Sequence, residues 1–391
     1  MNFDELLSLA ASLDASDVHL KLGRPPILRR DGAIAELEDW PTLNEADLEA
    51  VLETVTQHLP DRREAFNTTG ELDVGYASGG RRVRVNAFRQ RGAISVACRL
   101  ISRLVPTIAD LHMPAGVTRL AEERRGLVLV TGATGSGKST TLAAIVNHIN
   151  RTREEHIITI EDPIEMLHTD YKCIVNQREI GLDTASFGQA LRRALRQDPD
   201  TILIGELRDS ETAETALQAA ESGHLVFSTM HTLDAAETIS RMIEFFPAAK
   251  QPMIRSILAG VLKGVISQRL LPRTDSGRVA AVEVMVVNDR IAELIRDSEI
   301  ESIPAAISEG AYYDMQTLTQ ALIELTMSDL IDRDAAATAA PNRHDFNLLL
   351  SHAEKLRAAE LEAEQEAVEL AQLATTAANL TVSASSSHLD G

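Results

Sequence analysis

The chain has 391 residues, 44% of them apolar but only 3% aromatic, and its 58 acidic against 38 basic side chains give a formal charge of -20. That length is too great for one ordinary core, so two domains are expected, built from Leu, Ile, Val, Ala and Met. The acid excess argues against generic nucleic-acid binding, which needs clustered Lys and Arg, while Cys98 and Cys173 make neither a C-x-x-C metal signature nor a disulfide framework and fit a reducing compartment.

The opening stretch, MNFDELLSLAASLDASDVHL, carries acids and no basic segment ahead of its apolar residues, so it does not read as a secretory signal. No run of 18 apolar residues occurs, so no membrane span is expected and any membrane role would be peripheral, through a partner. Phe3, Leu6, Leu7, Ala10 and Leu13 fall on helical spacing and predict an amphipathic helix over 1–13. Strands follow at Asp17–Lys21 and Pro26–Arg30. Asn44 with Asp47 forms the start signal of a helix over about Asn44–His58. Strands at Leu72–Ala77 and Arg82–Arg89 flank a Gly79-Gly80 turn, and a further strand covers Ala93–Ile101. These elements predict a small α+β domain over 1–105, with Pro106 and Pro114 punctuating a linker over 106–120.

From Gly126 the rhythm changes. Apolar strands at Leu127–Val130, His156–Ile160, Thr201–Ile204 and Leu225–Met230 alternate with helices from Lys138, over Ser186–Gln197 and over Glu211–Glu221. That alternation predicts a mostly parallel sheet covered on both faces, an α/β domain over 121–350. After Ala235 helices dominate, with one further strand at Val279–Val287 and a late helix at Met315–Leu330. Over 351–391 an acid-loaded helix (Glu354, Glu360, Glu362, Glu364, Glu366, Glu369) fades into TTAANLTVSASSSHLDG, which lacks the apolar content to fold. No internal repeat is present.

The run Gly132, Ala133, Thr134, Gly135, Ser136, Gly137, Lys138, Ser139 fits G-x-x-x-x-G-K-[ST] throughout, after a strand and before a helix, with Thr140 next to it. Its glycines let backbone N–H groups curl around phosphates, and the helix N-terminus adds a positive dipole end. Lys138 is the candidate for the β/γ-phosphates of ATP, and the Ser139 hydroxyl for Mg²⁺. A fortuitous Gly-rich turn is the alternative, and the strand-loop-helix context weighs against it.

An ATPase also needs a carboxylate to position or deprotonate the attacking water. Thr201–Ile204 runs into Gly205-Glu206, an incomplete Walker B in which Gly205 stands where an Asp is usual, so Mg²⁺ contact through water to Glu206 is one reading and an ordinary strand-end acid another. A second cluster, Glu161-Asp162-Pro163-Ile164-Glu165, follows a strand whose C-terminal end should line the ligand crevice. Its carboxylates either face the nucleotide or form a solvated turn. His224 and His231 bracket Leu225–Met230 and suit either a phosphate sensor or a structural role. Arg208 is placed to pair with phosphate or with an acid. Arg81, Arg82, Arg84, Arg89, Arg91 and Arg99 form a basic group that reads as a neighbouring subunit's arginine finger or as a surface hairpin with scattered charge.

Taken together, VTGATGSGKSTTLAAIVNHIN, ITIEDPIEMLH, NQREIGLDTASFGQALRRALRQDPDTILIGELRD, AAESGHLVFSTMHTLDAAETISRMIEFFP, VISQRLLP, GRVAAVEVM and MQTLTQAL resemble the secretion ATPases, and within them the type IV pilus retraction ATPases of the PilT and PilU subfamilies. The resemblance covers residues 1 to about 345. It implies an N-terminal PAS-like domain joined to a RecA-like ATPase domain, assembled as a homohexamer. Lys138 and Ser139 then match the Walker A residues, Glu206 the Walker B glutamate and general base, Glu165 the Asp-box glutamate near metal and water, and His224 and His231 the His-box pair. Arg84 and Arg99 match arginines that approach a neighbour's nucleotide. The missing Asp before Glu206 is itself a family feature.

The segment Arg290-Ile-Ala-Glu-Leu-Ile295 departs from the Ala-Ile-Arg-Asn-Leu-Ile of PilT and leans to PilU, as do Met242–Pro247 and the acidic tail. The implied function is a cytoplasmic motor, peripheral at the inner membrane at the pilus base, that hydrolyses ATP to retract pili alone or beside a paralogous retraction ATPase, docking on the inner-membrane platform protein. An accessory ATP-binding ring subunit with little turnover is the alternative of another class. Assembly and type II secretion ATPases usually carry a four-cysteine zinc site and extra N-terminal domains, which two cysteines and one short N-domain disfavour.

Overall fold

A computed structural model describes residues 2–30, 32–79, 81–101 and 104–359. Of the acidic helix and tail expected over 351–391, residues 360–391 lie outside the described residues. The chain divides into two compact units, Met1–Arg269 with Val282–Gln316, and Leu270–Ala281 with the residues from Thr317 on.

The first unit holds one sheet whole and most of a second. Strands β1 (Asp17–Lys21), β2 (Ile27–Arg30), β3 (Ala33–Glu36), β4 (Glu71–Ser78), β5 (Arg81–Gln90) and β6 (Ala93–Leu100) form the N-terminal sheet in the order β3-β2-β1-β6-β5-β4. Its pairings are antiparallel, so one face alone needs an apolar cover. Along β5 the inward set Val83, Val85 and Ala87 is buried, while Arg84, Asn86 and Phe88 on the other face are exposed. The helices Phe3–Ser12, Glu45–Thr56 and Pro60–Thr69 supply the cover through Phe3, Leu6, Leu7, Leu48, Val51, Leu52 and Phe66. Glu45–Thr56 starts at the capping box read from the sequence: Asn44 accepts from the Asp47 amide and Asp47 from that of Asn44, both at 3.0 Å.

The second sheet contains β7 (Gly126–Thr131), β8 (His156–Glu161), β9 (Ile174–Glu179), β10 (Thr201–Ile204), β11 (Leu225–Met230), β12 (Leu262–Pro272) and β13 (Arg278–Val286), in the order β13-β12-β7-β11-β10-β8-β9. From β12 across to β9 the pairings are parallel. Every residue of β7, β10 and β11 is buried, the near-continuous apolar run that a sheet covered on both faces demands. Parallel strands bring their C-terminal ends to one edge, so Thr131, Glu161, Ile204 and Met230 deliver the loops that follow them to the same rim.

Five elements escape the sequence reading. Ala115–Ala121 is a helix in the stretch expected as a linker over 106–120, with no side-chain cap at Pro114 to mark its start. Pro60–Thr69 buries only Phe66, so no helical period marks it. Ala33–Glu36 is a short, exposed edge strand. β9 alternates with polar residues at the sheet edge. β12 leaves the helix Gln251–Val261 directly at Leu262 with no loop between them, so the helical stretch expected after Ala235 hides the strand.

The second unit has its own small core, in which Leu271, Val279 and Ala281 pack with Leu318, Leu322, Ile331, Phe346 and Leu350. The late helix is Leu318–Met327, shorter than the expected Met315–Leu330, because the Thr317–Gln320 capping box fixes its start. A further helix covers 343–359. Among the described residues no helix is long and apolar enough to cross a membrane.

Asn44→Ala removes one half of a reciprocal cap and is expected to lower stability by about 1 kcal/mol. Urea unfolding should show a lower midpoint at unchanged slope; an unchanged midpoint would show that the cap contributes nothing.

Candidate active site

The loop from Gly132 to Gly137 leaves the buried end of β7 and enters the helix Lys138–Thr152. Two glycines are required by position. Gly132 has φ +140°, and a Cβ there would lie 2.4 Å from the Gln268 carbonyl oxygen. Gly137, with φ +91°, caps the helix from the left-handed region. Lys138 turns back over the loop, its Nζ donating to the carbonyls of Gly132 at 2.7 Å and Ala133 at 3.0 Å. Burial pushes its pKa below the usual lysine value, and the charges of Glu206 and Glu165 pull it back up. Both carboxylates singled out in the sequence therefore act on the loop ammonium. Ser139 lies on the first helical turn, beside Thr140.

Glu206 stands just beyond β10. Thr229 Oγ1 donates to the Gly205 carbonyl at 2.6 Å and the Leu207 amide to Thr229 O at 3.1 Å, so β11 fixes the backbone on either side of it. One carboxylate oxygen accepts from Arg208 at 2.7 Å and the other lies 3.1 Å from His231 Nε2. The side chain is only 16% exposed. Arg208, left open between phosphate and acid by the sequence, thus pairs with an acid, and its pKa is raised chiefly by that hydrogen bond.

The acidic cluster after β8 divides. Glu161 accepts from Thr159 Oγ1 at 2.6 Å and Gln177 Nε2 at 3.1 Å, and burial pushes its carboxyl upward. Glu165 is exposed. His224 lies at the other end of β11, its Nδ1 3.0 Å from Ser222 Oγ and from Ala219 O. Six strand residues at about 3.3 Å each separate it from His231, so it takes no part in the Glu206 cluster of its own chain. Arg99 pairs with Asp17 directly across β1 and β6 at 3.0 Å. Arg84 pairs with Asp73 on β4 at 2.6 Å, with Glu165 and Asp162 contributing to its raised pKa.

Gln268 on β12 was not singled out from the sequence. It is 2% exposed. Its Nε2 donates to Ser136 O at 2.5 Å and its Oε1 accepts from Thr141 Oγ1 at 2.9 Å, tying the loop to the helix that follows. Beside it Thr131 Oγ1 donates to Ser267 Oγ at 2.9 Å. Its signals in the sequence were the polar run Ser267-Gln268-Arg269 between apolar residues and its place in VISQRLLP, one of the segments that carry the resemblance.

A glycine-rich loop between a buried parallel strand and a helix, with a carboxylate braced at the same rim, defines a P-loop ATPase. The family described as Type II/IV secretion system protein matches residues 82–276. The type IV pilus retraction ATPase PilT of Pseudomonas aeruginosa is 44% identical over 347 residues, covering 88% of this chain and 100% of the relative. The type IV pilus ATPase PilU of the same organism is 37% identical over 352 residues, 90% of this chain and 91% of the relative. A crystal structure of the pilus retraction motor PilT with bound ADP matches with a TM-score of 0.81 at 42% identity, over 88% of this chain and 98% of that one. The chain belongs to the type IV pilus retraction ATPase family. Identity to PilT exceeds that to PilU, so the PilU-like character rests on local segments such as Arg290–Ile295. There Ile291, Ala292 and Ile295 are buried, and Arg290 and Glu293 lie on the opposite face.

Gln268→Ala strips buried partners from Ser136 and Thr141, and an unsatisfied buried group costs about 1–3 kcal/mol. The loop should loosen and a fluorescent ADP analogue bind about tenfold more weakly, a loss of about 1.4 kcal/mol. Unchanged affinity would show that the loop holds its shape without this clamp.

Proposed function

We propose that the chain is an ATP-hydrolysing motor for type IV pilus retraction, working as a homohexamer on the cytoplasmic side of the inner membrane at the pilus base. The observation that carries this reading is the bracing of Glu206 between Arg208 and His231, at a position where its charge acts on Lys138. The phosphate loop alone speaks for nucleotide binding; a braced carboxylate beside it speaks for hydrolysis.

Each residue has a role that follows from its chemistry. Backbone N–H groups of Gly132–Gly137 and the start of the Lys138 helix cradle the phosphates, and Lys138 neutralises the oxygens where charge builds as the γ-phosphoryl transfers. Glu206 takes the proton of the attacking water. Two donors hold its carboxylate aimed, which a general base on a mobile strand end lacks. Glu165 orders water from the other side of the rim.

The family implies Mg²⁺, and the donor set fits it. Among the described residues no three His, Cys, Asp or Glu side chains gather to hold a metal by themselves. Mg²⁺ takes most of its ligands from phosphate and water and few from protein. The Ser139 hydroxyl would hold it, with Glu206 and Glu165 near, and the ion would offset charge on the phosphates.

Residues 1–105 form the PAS-like domain in this reading, and Arg84, Arg99 and His224 serve a nucleotide across a subunit boundary, which accounts for their absence from the Glu206 cluster of their own chain. The PilU-like segment Arg290–Ile295 supports work beside a paralogous retraction ATPase.

Steady-state ATPase measurement with Mg²⁺ tests the assignment. Glu206→Gln should bind ATP and lower kcat by about 10²-fold or more, the range for loss of a general base, and Lys138→Ala should lose nucleotide affinity as well. Normal turnover by Glu206→Gln would remove the assigned base. Light scattering with ATP present should give a hexamer, and a monomer would overturn the cross-subunit roles.

A further inference from the structure

The outer face of the N-terminal sheet meets the ATPase sheet through a buried ion pair. Arg82 and Arg84 are two residues apart on β5 and share the face opposite Val83 and Val85. Arg82 pairs with Glu179, the last residue of β9, and their side chains are only 12% and 5% exposed. The carboxylate oxygen that takes the Arg82 guanidinium also accepts the Ile164 amide at 3.0 Å. Ile164 immediately precedes Glu165. The Glu179 amide is tied in turn to Asp183 at 2.8 Å, which anchors the end of β9.

Space for this contact is provided by an absent side chain. Gly75 on β4 has an ordinary strand backbone, yet a Cβ there would lie 2.6 Å from Arg82 Nη2 and 2.6 Å from Glu179 Oε1. Arg84, held by Asp73 beside it, lies close enough to Glu165 and Asp162 for their charges to act on it. The two arginines of this face thus address the same acidic loop, Arg82 through Glu179 and Arg84 through space.

We propose that Arg82 and Glu179 form a relay through which the N-terminal sheet holds the loop carrying Glu165 in place at the phosphate site, so that both act as positioning residues for hydrolysis. A carboxylate this deeply covered is tenable only while its cation is present. When the N-terminal sheet moves off β9, Glu179 loses Arg82 and must turn toward water. That turn withdraws the acceptor from the Ile164 amide and frees the loop next to Glu165. Turnover becomes conditional on the pose of the N-terminal sheet, while nucleotide affinity, set by the phosphate loop, does not. The relay rests on the reading of Glu165 as a site residue.

The test compares Gly75→Ala, Glu179→Gln and Glu165→Gln in the full chain, reading kcat, the KM for ATP and the affinity for a fluorescent ADP analogue. Gly75→Ala is the decisive variant: its Cβ meets the ends of both side chains, so the pair must shift from its place without either member being changed, and Ala suits a strand better than Gly. Gly75→Ala and Glu179→Gln should each lower kcat about tenfold or more, as expected for a displaced catalytic group. ADP affinity and KM should stay within about twofold, the signature of an interaction used in turnover and not in binding. Combining the two should cost no more than either alone. If Gly75→Ala keeps the wild-type kcat while Glu165→Gln is inactive, the relay is wrong and the assignment of Glu165 stands. Wild-type turnover by Glu165→Gln would remove both. Should Glu179→Gln fail to fold, the kcat of Gly75→Ala decides alone, a tenfold loss supporting the relay and an unchanged value overturning it.

Discussion

Carboxylates gathered at one rim are the condition with which the rest of the structure must comply. Parallel strands bring Glu161 and Glu206 to the edge where the phosphate loop ends, and Asp162 and Glu165 follow directly. A site for a polyanion is thereby lined with negative charge. Left alone, these groups would repel one another and the ligand. The structure resolves the conflict one residue at a time. Glu206 takes Arg208 and His231. Glu161 is satisfied by neutral donors, Thr159 and Gln177, and burial moves it toward its protonated form. Glu179, register partner of Glu161 across β8 and β9, takes Arg82. Asp162 and Glu165 stay exposed at the rim, where water and ligand can reach them.

That distribution separates what was legible in the sequence from what was not. The phosphate loop, the capping box at Asn44 and the strand end at Glu206 are local: the residues that define them lie within about eight positions, the span of the phosphate-loop motif, and their chemistry forces the backbone they occupy. Their placement in the fold follows the sequence pattern. The two histidines also bracket β11 as the sequence indicates, but a strand of that length carries its ends to opposite rims, and only His231 reaches Glu206.

Contacts between distant segments carry no such signature. Gln268 lies 132 residues from Ser136, and Arg82 lies 97 residues from Glu179. In the sequence Gln268 is a polar interruption of an apolar run and Arg82 is one arginine among several. Only the order of the sheet, with β12 beside β7 and β9 at the far edge, turns them into a clamp and a relay. Elements with weak burial patterns escape notice for a related reason: Pro60–Thr69 and β9 are held by neighbours and not by an apolar period of their own.

Lys138 shows what this arrangement means for binding. Its ammonium already sits over the loop, partly removed from water, bonded to two neutral carbonyls and drawn by two carboxylates. The cost of desolvating and orienting the chain is therefore met by folding. Phosphate oxygens would replace carbonyl acceptors with charged ones, and charge-assisted hydrogen bonds are about twice as strong as neutral ones. The gain on binding is thus the difference between two sets of hydrogen bonds and not the full strength of the new set. A motor that must release its product each cycle gains from that, because a lysine with acceptors waiting in its own loop lets the phosphates go without being left unpaired.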